Sequence, residues 1–144
     1  MPAVVRDVVV TGPAYDAGMP PRRRTDPGLG RAALAAWRAD PDGVDRGTVG
    51  TAVRYTLEEL GARAPGRSVE VRVPPFGAVQ CIEGPVHTRG TPPNVIETDA
   101  ATWLRLAVGD LAWESALDGA LVRASGQRAH LDGLLPLTSL RLDS

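Results

Sequence analysis

Residues 94–137 read NVIETDAATWLRLAVGDLAWESALDGALVRASGQRAHLDGLLPL, and their order decides how the rest of the chain is read. Asn94, Val95, Ile96, Glu97 and Thr98 form a short run that suits a strand. Asp99 stands where a helix needs an N-cap, since a carboxylate there accepts hydrogen bonds from the unpaired N–H groups of the first turn. The next residues, ATWLRLAV, predict a short helix that stops at Gly109-Asp110. LAWESALD predicts a second short helix ending at Gly119, and ALVRAS a strand around 121–124. After Gly126 the apolar RAHLDGLLPL predicts a closing helix around 128–135.

The residues upstream supply the partners of these elements. Residues 84–93, GPVHTRGTPP, are a long loop rich in Gly and Pro. Before it, SVEVRV at 68–73 alternates three valines with Glu70 and Arg72, the pattern of a half-buried strand. Pro74-Pro75 breaks that strand, and residues 76–83 read as its antiparallel partner. Two helices come earlier. Asp45 caps the second, whose inner face is Val49, Ala52, Val53, Thr56, Leu57 and Leu60, with Arg54 and Glu58 spaced for an i,i+4 ion pair. Asp26-Pro27 opens the first, with Leu29, Ala33, Ala36 and Trp37 on one face and Asp40-Pro41-Asp42-Gly43 at its end. Residues 1–25 read as an N-terminal arm, and 26–144 as one domain. Helices first, a hairpin and a strand in the middle, then helices around a last strand make an α+β fold with a small, mainly antiparallel sheet covered by helices.

Composition narrows the function. The 144 residues carry 16 basic and 17 acidic side chains, a net charge of -1. No overall field draws nucleic acid or anionic lipid to such a chain. All 16 cations are Arg, which fits a GC-rich genome. The triplet Arg22-Arg23-Arg24 is too short to hold phosphate firmly and is read as a solvated spacer. No apolar run approaches the ~20 residues that cross a bilayer, so stable membrane insertion is not expected. A single cysteine and no signal-peptide pattern at the start predict a cytoplasmic protein.

Few residues offer chemistry. Cys81 and His87 form the one nucleophile–base combination, but strand alternation turns Cys81 toward the core, where a thiol is inert. Two histidines without paired ligand spacing predict no metal site. In the 84–93 loop, Arg89 suits a carboxylate or phosphate with His87 and Thr88 as donors, or else braces the loop by pairing with an acid. Trp103 and Trp113, in a chain with only three tryptophans, either line a ligand pocket or pack as core.

The hairpin SVEVRVPPFGAVQCIEGP, the strand-to-helix step NVIETDAATWLRLAVGD, the strand GALVRASGQ and the ending LDGLLPL together resemble a bacterial sterol carrier protein (SCP-2-like) domain over residues 68–137. The same pattern is similar to the C-terminal domain of mycothiol-dependent maleylpyruvate isomerase-like proteins. The resemblance implies a cavity between sheet and helices that carries a fatty acyl chain, acyl-CoA or sterol, with no catalysis and no cofactor. Its wall would be Val95, Trp103, Leu106, Trp113, Leu117, Leu134 and Leu135, with His87 and Arg89 as polar anchors. Two alternatives stay open. One is an interaction domain with a filled core and a protein partner or second copy of itself. The other is an accessory domain to a mycothiol-dependent enzyme.

Overall fold

The helices start where aspartates meet free N–H groups. The computed structural model describes residues 24–86 and 93–137. Asp26 accepts from Leu29 N at 3.0 Å and opens α1, Pro27–Ala39. Asp45 accepts from Thr48 N at 2.7 Å and opens α2, Arg46–Arg63. That backbone bond, joined by the Thr48 side chain, holds the Asp45 carboxyl below its ordinary range. Asp99 accepts from Thr102 N at 2.8 Å and opens α3, Ala100–Val108. The fourth helix, α4 at Trp113–Asp118, starts from Ala112 and has no side-chain cap.

The strands are β1, Val69–Val73; β2, Gly77–Cys81; β3, Asn94–Thr98; and β4, Val122–Ser125. They make one sheet in the order β2-β1-β3-β4. The β1–β2 pair is antiparallel, as expected; β3–β4 is antiparallel too, while β1 and β3 run parallel. Parallel neighbours need a long connection, and β2 with the loop after it provides one.

One face of the sheet is apolar and the other is wet. Val69, Val71, Val73, Cys81 and Ile96 are buried under the helices. Register puts Arg72 beside Glu97 and Glu97 beside Arg123 on the outer face. There Arg72 Nε also bonds Glu70 Oε1 at 2.7 Å. A sheet with antiparallel edges tolerates one solvated face, and alternating charges suit it.

Helix α2 lies against β2 and α3, and α1 lies on α2. Being covered on two sides, α2 buries Ala52, Val53, Tyr55, Thr56, Leu57, Glu59 and Leu60, a wider belt than the single face expected. Tyr55 explains why α1 is turned from its expected orientation. A Cβ at Gly30 would sit 2.3 Å from Tyr55 Cγ, so the ring packs onto bare backbone. The buried face of α1 is therefore Gly30, Ala33, Leu34 and Trp37, and Leu29 is 67% exposed. Glu58, spaced to pair with Arg54, accepts from Thr25 N at 3.1 Å and from Thr25 Oγ1 at 3.2 Å.

The closing helix expected around 128–135 does not form. Turns occupy that segment, with short-range bonds such as His130 N to Arg128 O and Leu134 N to Leu131 O. Gly133 has φ of +80°, a left-handed conformation that interrupts a helix. Buried Leu131 and Leu137, with Leu137 N bonded to Ala107 O at 2.9 Å, hold the segment down. Apolar content here serves anchoring, which helical periodicity cannot reveal.

Asn94 ties the sheet together at one end. Its Nδ2 donates to Ser68 O and its Oδ1 accepts from Arg128 N, both at 2.9 Å. Ser68 Oγ in turn donates to Ile82 O at 2.8 Å. At the opposite end, Thr98 Oγ1 donates to Leu121 O at 2.7 Å, fixing where β4 begins.

Candidate functional site

The side chains expected to share a cavity wall fall in four places. Val95 alternates out of the core on β3, beside Glu70 on the solvated face, so it cannot face the same space as Trp103. Trp103 and Leu106 are in the core, 0% and 1% exposed. A water-sized sphere thus finds no room beside them. Trp103 also has a polar reason for its position. Its Nε1 donates to Thr56 Oγ1 at 2.7 Å, and Thr56 donates back to the α2 carbonyls of Ala52 and Val53. Leu117 is exposed on α4. His87 and Arg89, the polar anchors, lie outside the described residues, as do residues 1–23 of the arm.

Trp113, Leu134 and Leu135 form the fourth group. Leu134 packs partly buried against the core. Trp113 and Leu135 line an open cleft of about 270 Å³ with Leu111, Leu131 and Pro136, and with Glu114 and Asp132. The cleft lies between the start of α4 and the turns of residues 131–136. It exists because α4 is short and the closing segment is not a helix, so two irregular surfaces meet without full interdigitation. The Trp113 indole N–H is buried and finds no acceptor among the described residues.

Of the residues named from the sequence, Trp113 and Leu135 line this cleft, while Leu111, Leu131, Pro136 and the two carboxylates carry no sequence signal that places them there. Their pairing depends on how a turn segment docks, for which no periodic signal exists. Thr56 was read as part of an apolar face. A hydroxyl among aliphatic residues, with a tryptophan elsewhere needing an acceptor, was the available sign.

Cys81 is fully buried, and burial pushes its thiol from an ordinary 9.0 up to about 12. Such a thiol is protonated at neutral pH and is a poor nucleophile. Its ionisation also makes a stability prediction. Above about pH 9 the unfolded chain releases this proton and the folded chain does not, so stability falls as pH rises toward 12. In urea titrations between pH 8 and pH 10.5 the unfolding free energy of the native protein should drop more steeply than that of Cys81→Ala. The limiting difference is about 1.4 kcal/mol per pH unit. Parallel curves would mean the thiol ionises freely in the fold.

Among the described residues, no three His, Cys, Asp or Glu side chains gather as a metal site. Nor is any helix there long and apolar enough to cross a membrane.

Comparison with known proteins returns one family. The family model described as "Bacterial SCP ortholog" matches residues 45–137, from the α2 cap Asp45 to Leu137. No curated protein matches the chain.

Proposed function

The chain belongs to the bacterial SCP orthologs, a family of sterol-carrier-like domains, and on that premise we propose that it is a non-catalytic binding module or carrier for a small apolar, lipid-like ligand. The observation that carries the reading is the cleft of about 270 Å³ beside α4, floored by Leu111, Trp113, Leu131, Leu135 and Pro136. The protonated, buried Cys81 supports a role without thiol chemistry.

A second reading has its own observation. Trp103, Leu104 and Leu106 are 0–1% exposed in the core, and the Trp103 indole is already bonded to Thr56. Leu117 and Leu121 stand 40% and 42% exposed near the start of β4. An interaction domain would use such an exposed apolar edge for a protein partner.

Native mass spectrometry on protein from its own host, followed by denaturing extraction, separates the two. The expected result is a one-to-one complex with a releasable apolar molecule. A clean ligand-free mass, with no thermal shift from six- to ten-carbon alcohols or acids, sinks the carrier reading and favours the partner.

A further inference from the structure

Trp113 and its acidic neighbours set the chemistry of the cleft. Trp113 is 6% exposed, and its Nε1 has no acceptor among the described residues. Buried indole N–H groups ordinarily have a partner. The Trp103 indole, 0% exposed, has one in Thr56 at 2.7 Å. An orphaned donor beside a cleft is a place for a ligand oxygen. The second observation is charge. The ionisable groups among the described residues that line the cleft are Glu114 and Asp132, with no Arg. Among the described lining residues a carboxylate or phosphate headgroup would meet two like charges and no Arg.

We propose that this cleft takes a small, neutral apolar molecule bearing a hydrogen-bond acceptor, of the alcohol, ester or ketone class, whose oxygen accepts from Trp113 Nε1. The same cleft rejects free fatty acids and acyl groups carried on phosphates. The inference rests on the apolar-carrier reading and narrows it. At about 270 Å³ the cleft falls just under the ~300–1,000 Å³ of pockets that hold drug-sized ligands, so a short chain fits and a sterol does not. Nε1 is sealed from solvent, so binding includes a local adjustment of the cleft wall. Residues 131–136, held by turns, are the wall free of regular structure. No helix terminus or metal is needed.

The test uses nuclear magnetic resonance of the full chain labelled with nitrogen-15. The three tryptophans give three indole N–H signals, and Trp113→Phe identifies which is Trp113. Titrations run at pH 8. The probes are 1-octanol and octanoate, equal in chain length and different in charge. Octanol should shift the Trp113 indole signal saturably, and octanoate should bind at least ten-fold more weakly. Glu114→Gln with Asp132→Asn should close most of that gap, as should high salt. Octanoate binding as tightly as octanol overturns the proposal but leaves the apolar carrier standing. Saturable octanol binding that leaves the Trp113 indole unmoved does the same. Binding of neither probe removes both. The unsubstituted protein carries the decisive spectra, so an unstable Trp113 variant does not blunt the test.

Discussion

Trp103→Ala lowers the unfolding free energy by about 3–5 kcal/mol, the range for emptying a large aromatic from a packed core. That loss is a large fraction of a typical total of ~5–15 kcal/mol. Trp103 is 0% exposed and packs in the core cluster that also includes α2 and sheet residues. Two smaller substitutions separate volume from polarity. Trp103→Phe keeps most of the ring area and leaves Thr56 bonded to Ala52 O and Val53 O, so it should cost less, about 1–2 kcal/mol. Thr56→Val leaves the indole N–H of Trp103 buried without its acceptor, a loss of about 1–3 kcal/mol. Urea midpoints at constant m read all three. A Trp103→Ala loss below about 1 kcal/mol would mean the sheet–helix layer has slack, and an internal ligand space would return as a possibility.

Gly126→Ala should cost about 2–4 kcal/mol, combining backbone strain and overpacking. Gly126 has φ of +105°, which L side chains rarely adopt. An added Cβ would meet Asn94 Oδ1 at 2.3 Å, Pro93 O at 2.7 Å and Asn94 Cα at 2.9 Å. Two of those three atoms are backbone and cannot swing away. The third accepts from Arg128 N, the bond that fastens the segment after β4 to the start of β3. The effect should therefore travel. Amide hydrogen exchange of Arg128 and its neighbours should speed up more than exchange in α1 or α2, which lie apart from this junction. Unchanged stability, or faster exchange spread evenly over the domain, would sink the account of Asn94 as a local tie.

How far the sequence could be read depended on how local each cause was. Asp26, Asp45 and Asp99 announce three helices because a cap acts within three residues of itself. The SVEVRV alternation announces which β1 side chains face in, since the pleat alternates regardless of what lies below. Where two distant surfaces decide, the pattern misleads. Leu29 has helical spacing but is exposed, because Gly30 is where Tyr55 presses. The closing stretch is apolar enough for a helix, yet Gly133 in the left-handed region makes it a strap.

The candidate site shows the same division. Trp113 and Leu135 stood out from the sequence, but as parts of a cavity shared with Val95 and Trp103. One residue of offset on β3 puts half-buried Val95 on the outer face of the sheet, and a hydroxyl on α2 gives the Trp103 indole its partner in the core. The orphaned indole and the carboxylates of Glu114 and Asp132 are visible only once residues 131–136 dock against the start of α4.

By itself, then, the sequence determined the element order as far as β4, the aspartate caps, the inward valines of β1 and the family to which residues 45–137 belong. Each is written in spacings of a few residues, or in an order that survives any detail of packing. Only the tertiary structure decided that β1 and β3 lie parallel, that Trp103 and Leu106 are sealed in the core, and that a cleft opens between α4 and residues 131–136. Those outcomes depend on shape matching between segments far apart in the chain. Hydrophobicity says that a residue will be buried, and only geometry says against what.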